Sequence, residues 1–321
     1  MSALSSPQPI ATRKSPLALA QALDVQARLA QAHDVDAADK DEAFPILGLV
    51  STGDKIQDRT LLEAGGKGLF TKEIDEAQLE GRAVFAVHSM KDVPTTLPAG
   101  LELGAVLERE DPRDVLISSG GEQRLEDLPE GCTFGTASLR RQAQLLNLRP
   151  DITVVPLRGN VGTRLNKLAA GEVHATFLAQ AGLNRLGQTL DNAHAIDPAT
   201  MLPAAAQGAV GVTVCQGDEA ARELLAPLHH QQTALSIAVE RAFLAALDGS
   251  CRTPIAAYVN NVSMDFTAEV LTPDGLSRWR ESRSVDMRSL SLEDAEVIGQ
   301  QTGMAVKAAA GEHLVRVYAG S

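Results

Sequence analysis

Aromatic side chains are nearly missing: the 321 residues include one Trp, two Tyr and seven Phe, 3% of the chain. A core without large rings has to be filled by Ala, Leu and Val, which favours alternating strands and helices over a sandwich of two sheets. Cysteine is scarce as well. Cys132, Cys215 and Cys251 are an odd set without the close CxxC spacing of a zinc or redox site, which argues against a disulfide framework and against a metal centre. Each thiol can be read as a small buried hydrophobe. No uninterrupted apolar run reaches the roughly 18 residues of a membrane span. The opening MSALSSPQPIATRKSP lacks a basic stretch followed by an apolar one, so no secretory signal and a cytoplasmic location are expected. Positive charge is in deficit, with 29 Lys and Arg against 41 Asp and Glu and a net charge of −12. Sequence-independent binding to nucleic acid or to an anionic membrane needs a basic face that releases counterions, so neither partner is expected. An anionic ligand has to meet a local basic cluster instead. No exposed apolar stripe is evident, and a monomer is expected.

The composition that remains, 44% hydrophobic and 22% charged, is that of a globular chain too long for one comfortable core, which predicts two or three domains. Several segments repeat one grammar, an apolar run, a polar turn and an amphipathic helix. In PIATRKSPLALAQALDVQARLAQ, Ser15 caps a helix whose first turn takes Pro16. The pattern returns in CTFGTASLRRQAQLLNL, TVVPLRGNVGTRLNKLAAGE and HATFLAQAGLNRLG, and between them RAVFAVHSMKDVP reads as a strand delivering His88, Ser89, Lys91 and Asp92 into a loop. Such alternation predicts mostly parallel sheets covered by helices, with ligands bound beyond the carboxyl ends of the strands. EREDPRDVLIS and LPAAAQGAVGVTV look like crossings between domains, and AAYVNNVSMDFTAEVL looks antiparallel. The expectation is two α/β domains facing a cleft and a smaller α+β C-terminal domain.

Between Gly135 and Lys167 the basic residues are Arg140, Arg141, Arg149, Arg158, Arg164 and Lys167, with Asp151 the only acid. The planar fork of arginine matches a carboxylate or phosphate, so several arginines near helix N-termini make a polyanion site. The other reading is a solvated helix face laced with i,i+4 pairs, yet acids at that spacing are missing from the window. Arg13 and Ser15 sit at the first strand-to-helix turn, equivalent to Thr136 and Ser138 before Arg140, although Ser15 also reads as a plain N-cap. Asp92 is either a turn residue or a carboxylate kept ionised beside cations. In the second case it cannot bind anions, so its use is to stabilise a cation or move a proton. His88 reads as structural. Gly65, Gly66, Lys67 and Gly68 form a glycine-rich turn without P-loop spacing, which gives nucleotide binding little support and leaves Lys67 as a further anion contact. Cys251, in DGSCRTP beside Arg252, reads as a buried hydrophobe or as an accessible thiol whose thiolate the neighbouring cation favours.

Taken together, ATRKSPLA, GGKGLFTKE, VHSMKDVP, EREDPRD, GTASLRRQAQL, LRGNVGTRL, AGLNRLG, AAQGAVG and GSCRTPI resemble the hydroxymethylbilane synthase (porphobilinogen deaminase) family in order and spacing, from about residue 9 to residue 260. The resemblance implies an α/β fold of two periplasmic-binding-protein-like (type II) domains flanking a cleft, plus a small α+β C-terminal domain. Domain 1 is placed at 1–108 and 205–226, domain 2 at 109–204 and domain 3 at 227–321. It implies a transferase that condenses four porphobilinogen molecules head to tail, with release of ammonia, on a dipyrromethane cofactor, and then hydrolyses the product to hydroxymethylbilane for tetrapyrrole synthesis. Cys251 would hold that cofactor as a thioether and Asp92 would be the catalytic aspartate. Arg13, Ser15, Lys67, Lys91, Thr136, Ser138, Arg140, Arg141, Arg149, Arg158, Arg185 and Gln207 would meet the acetate and propionate groups of cofactor, substrate or growing chain. The chemistry suits these residue types: an oligopyrrole is a polyanion, and loss of ammonia from porphobilinogen leaves a cation that one ionised aspartate can stabilise. Glu63 departs from the family pattern, standing where members often have lysine. Two rivals remain, a binding protein that holds a small dicarboxylate without turnover and a thiol-dependent transferase with His229 or His230 as base.

Overall fold

A computed structural model describes residues 6–55, 68–247, 249, 253–286 and 288–314. Lys67, Glu63 and Cys251 therefore lie outside the described residues. The chain begins with β1 (Ile10–Arg13), α1 (Pro16–Ala32), α2 (Lys40–Ala43), β2 (Ile46–Leu49), α3 (Thr52–Lys55), α4 (Lys72–Leu79), β3 (Phe85–Ser89) and β4 (Leu101–Val106). Then come β5 (Asp114–Ser118), β6 (Thr133–Gly135), α5 (Leu139–Leu148), β7 (Thr153–Val155), α6 (Val161–Ala169), β8 (Ala175–Ala179), α7 (Gln180–Arg185) and β9 (Ala193–Ala195). The last part holds β10 (Val210–Cys215), α8 (Glu219–Leu225), α9 (Gln231–Ala246), β11 (Ile255–Asn260), β12 (Asp265–Leu271), β13 (Arg278–Ser284) and α10 (Leu292–Ala310).

Among the described residues these elements form two compact units, one of 6–55, 68–110 and 209–234, the other of 111–208 and the residues from 235 to 314. The sheet of the first unit has the order β2-β1-β3-β10-β4 and that of the second β7-β6-β8-β5-β9. The two sheets share one plan. In each, three neighbouring strands are parallel and a fourth, antiparallel strand enters from the chain crossing: β10 against β3, and β5 against β8. The sheets are therefore mixed where the sequence predicts mostly parallel ones, because each crossing strand runs back from the edge at which the chain arrives. The C-terminal part adds a three-stranded antiparallel sheet, β11-β12-β13, packed with α9 and α10. Segment 227–234, placed by sequence in the third domain, groups with the first unit, where His230 N–H donates to the Val106 carbonyl at 2.7 Å.

Local chemistry accounts for these starts and stops. Ser15 is extended, its hydroxyl accepts from Ala18 N at 3.4 Å, and Pro16 opens α1 where no N–H is needed. Ser291 and Asp294 form a reciprocal capping box at the start of α10. The rare phenylalanines are shared out between three cores. Phe44 and Phe85 lie in the first, Phe134 and Phe177 pack 4.4 Å apart in the second, and Phe243 and Phe266 lie in the C-terminal one, all fully buried. In the C-terminal core, a Cβ on Gly299 would stand 2.2 Å from the Val239 carbonyl oxygen, so the glycine lets α10 approach α9 closely. Among the described residues no helix is long and apolar enough to cross a membrane.

Candidate active site

In the first unit β1 and β3 are parallel neighbours, so the residues that follow them meet at one sheet edge. Arg13 ends β1, and a single turn of 3-10 helix, Met90–Asp92, follows β3. The Arg13 Nη1 to Asp92 Oδ2 distance is 4.0 Å, and the Asp92 side chain is 37% exposed. Among the described residues Asp92 has this one ion pair and no hydrogen bond. Its carboxyl group faces Arg13 and is still open to a ligand. The Arg13 guanidinium lies 4.5 Å from the centroid of the Phe70 ring, and a pocket at this edge is lined by Arg13, Ser15, Gln21, Phe70, Ser89 and Asp92. Gln21 and Ser89 exchange hydrogen bonds, with Nε2 donating to Oγ at 2.9 Å and Oγ donating to Oε1 at 3.1 Å. His88 is buried beneath them, with Nε2 3.3 Å from Thr213 Oγ1. Burial and then the nearby Arg13 charge bring it down to about 4, so it is neutral at working pH. Lys91 is in the same turn as Asp92.

The second unit repeats the arrangement. Ser138 caps α5, its hydroxyl accepting from Arg141 N at 3.4 Å, and Thr136 Oγ1 accepts from Ser138 N at 3.1 Å. Because β7, β6 and β8 are parallel neighbours, the turns carrying Arg158 and Ser138 open at the same edge. The register Asp114 to Ala179 brings the first residue of the antiparallel β5 to that edge too. Asp114 is 0% exposed and takes both neighbouring arginines, Arg140 Nη2 at 2.7 Å from Oδ2 and Arg141 Nη2 at 2.7 Å from Oδ1. Gln207 Nε2 donates to Asp114 Oδ1 at 3.1 Å and to the Pro112 carbonyl at 2.7 Å. Burial opposes ionisation of Asp114, but the charges of Arg140 and Arg141 and the hydrogen bonds outweigh it and hold the carboxyl well below the usual range. Arg140 also donates to the Leu202 carbonyl, Arg141 to that of Phe177 and Arg185 to that of Gly208.

The structure thus brings Arg13, Ser15, Lys91 and Asp92 together at one edge, and Thr136, Ser138, Arg140, Arg141, Arg158 and Gln207 at another, with Arg185 on the helix after β8. It does not bring Arg149 there. That residue is the C-cap of α5, at the opposite end from Ser138, where it bonds Asp151 and the carbonyls of Leu125 and Leu128. A ten-residue helix puts about 15 Å between its ends. His229 and His230, the bases of the thiol-transferase rival, lie in the first unit, His229 facing Gln231 and Val106, His230 facing Thr233. The sequence reading missed Asp114 and Phe70. An acid at the head of the apolar run DVLIS is a sign of a buried cationic partner, and Phe70 is the one phenylalanine of seven not fully buried in a core.

Two α/β units share one topology, each with a capped helix at the carboxyl edge of its parallel strands, the first with Arg13 and the open Asp92 there and the second with a pair of arginines on Asp114. The model of the family described as "Porphobilinogen deaminase, dipyromethane cofactor binding domain" matches residues 9–223, and that of "Porphobilinogen deaminase, C-terminal domain" residues 234–308. The chain is 48% identical over 310 residues to the porphobilinogen deaminase of Caulobacter sp. (strain K31), covering 95% of this chain and 97% of the relative. It is 48% identical over 313 residues to that of Caulobacter vibrioides (strain NA1000 / CB15N), again covering 95% and 97%. The chain belongs to the porphobilinogen deaminase family. Among solved structures it is similar to the periplasmic VFT2 domain of Bordetella pertussis BvgS, with a TM-score of 0.40, 14% identity and 70% of this chain and 86% of that one covered. It is also similar to a putative methionine-binding lipoprotein of Bacillus subtilis, with a TM-score of 0.41, 11% identity and 71% and 92% covered.

Proposed function

We propose that this chain is a transferase that condenses four porphobilinogen molecules head to tail, with loss of ammonia, on a dipyrromethane primer, and releases hydroxymethylbilane for tetrapyrrole synthesis. The observation that carries the reading is Asp92, an exposed carboxylate with one ion pair at 4.0 Å and no hydrogen bond among the described residues, standing at a strand edge beside Arg13. Asp92 accepts a hydrogen bond from the pyrrole N–H of bound porphobilinogen, and its negative charge offsets the positive charge that grows on that ring as ammonia departs. Arg13 fixes the direction of the Asp92 carboxylate, and Phe70 lies over the guanidinium.

The donor set of the second unit fits the primer's carboxylates. Two guanidiniums share one buried carboxylate, which leaves the cluster with one positive charge in excess. Thr136, Ser138, Arg140, Arg141, Arg158, Arg185 and Gln207 would hold the acetate and propionate groups of primer and chain, with Arg13, Ser15, Lys91 and Lys67 taking those of the incoming unit. Cys251 would anchor the primer through a thioether. When bound, the dipyrromethane supplies a nucleophilic pyrrole carbon at its free end. Domains 1–108 with 205–226, 109–204 and 227–321 divide this work, the third carrying Cys251. The protein acts as a cytoplasmic monomer, and its net charge of −12 disfavours nucleic acid as a partner.

The test is turnover of porphobilinogen by wild type and Asp92→Asn. The variant is expected to lose about 10²- to 10⁴-fold in kcat, the range of a positioned proton-transfer or charge-stabilising group. Turnover at the wild-type rate would remove Asp92 from its role. A dicarboxylate-binding protein would release no ammonia in either form.

A further inference from the structure

The arginine pair of the second unit contains more charge than a structural ion pair needs. Asp114, Arg140 and Arg141 are 0%, 5% and 6% exposed, and the cluster they form has two cations and one anion. A single arginine would balance Asp114. The burial of the second is offset in part by the Leu202 and Phe177 carbonyls, and a further anion reaching the pair would offset more of it. Two other acids of this region are fully buried, and both are engaged elsewhere: Glu269 by Arg278 Nη2 at 2.6 Å and Arg280 at 3.8 Å, and Glu240 by the backbone N–H groups of Ala206 at 2.6 Å and Val259 at 2.8 Å. Asp114 itself cannot receive a carboxylate ligand. It can fix the groups that do: its two oxygens tie together the start of α5, through Arg140 and Arg141, and the segment before β10, through Gln207. The same segments also meet where Gln144 exchanges hydrogen bonds with the Leu202 backbone, and β5 delivers Asp114 to them at the sheet edge that carries Ser138.

We propose that Asp114 is a positioning residue, acting through Arg140, Arg141 and Gln207 to aim a preset, net-cationic cluster at the carboxylates of the primer and growing chain. The proposal rests on the porphobilinogen reading. It goes beyond that reading in giving one buried acid control over how three binding residues are oriented.

The experiment compares full-length wild type, Asp114→Asn, Asp114→Glu and Leu145→Ala, each expressed with its own primer supply. Leu145→Ala removes core contacts from the same helix without touching the cluster and serves as the control for lost stability. Intact mass gives the fraction of molecules with a primer adduct, thermal melts give folding, and kcat and KM for porphobilinogen are measured per adduct-bearing molecule. Asp114→Asn is expected to carry the adduct in a fraction reduced at least about threefold and to show KM raised about fivefold or more, the scale of one misplaced charge-assisted contact. Asp114→Glu keeps the charge but displaces it by a methylene, so it is expected to show the same two losses, and it decides the matter if Asp114→Asn does not fold. Leu145→Ala is expected to melt lower with loading and KM within about twofold of wild type. Wild-type loading and KM in a folded Asp114 variant would overturn the proposal, as would equal losses in Leu145→Ala, which would assign them to stability alone. Failure of both Asp114 variants to fold under conditions where Leu145→Ala folds would also overturn it, since the carboxylate would then be required for the fold itself. A wild-type chain with neither adduct nor turnover would overturn the underlying reading, and it is read first.

Discussion

At the scale of single residues, charge and burial decide which side chains are available for chemistry. Arg140 and Arg149 come from one helix and look alike in sequence, yet one faces a buried carboxylate at the strand edge and the other clasps a loop at the far end. Arg149→Ala is expected to cost about 1–3 kcal/mol of stability, the range for charged hydrogen bonds, and to leave turnover within about twofold; urea melts and steady-state rates check both. His88 gives a pH signature. The unfolded chain protonates this imidazole below pH 6.5, whereas the native chain holds it neutral down to about 4, so its contribution to stability falls as pH drops through that window. The total is about 3 kcal/mol. Asp75 acts in the opposite sense. Its carboxyl is pushed up to about 6, chiefly by burial, so the native state keeps a proton that the unfolded state has lost, and stability is lost as pH rises from 3.8 through 6. Comparing melts of His88→Gln and Asp75→Asn with wild type between pH 4 and 6.5 separates the two slopes; a variant slope equal to wild type would contradict the assignment for that residue.

At the scale of elements, the strand-turn-helix grammar was legible because it is local. Ser15 and Ser138 cap their helices, Pro16 begins α1, and the turn after β3 carries Lys91 and Asp92, all read from residues a few positions apart. What stayed hidden depended on register and long-range contact. The search for acids at i,i+4 around the arginines could not find Asp114, which reaches them from the start of an antiparallel strand. The same holds for Phe70, whose meeting with Arg13 follows from how α4 and β1 pack and not from the sequence between them. Helix contact makes its own demand in the C-terminal core. Gly299→Ala would force a methyl against the Val239 carbonyl, so α9 and α10 must separate, with an expected loss of about 1–3 kcal/mol measurable by thermal unfolding.

At the scale of the whole molecule, two units repeat one topology, and on the proposed reading both supply charged groups to the ligand. The chain is acidic overall, with a net charge of −12, and a polyanionic ligand would find its attraction in local cations such as Arg13, Arg140 and Arg141 against that background. Salt screens both terms, so KM for porphobilinogen is expected to rise with ionic strength if the local cations dominate, as the account requires, and to fall if the net charge does. The central claim is that the protein carries its own primer on Cys251. Intact mass of the purified chain beside Cys251→Ser tests it directly. The account predicts that the wild type alone is heavier by one dipyrromethane, and equal masses after incubation with porphobilinogen would contradict it.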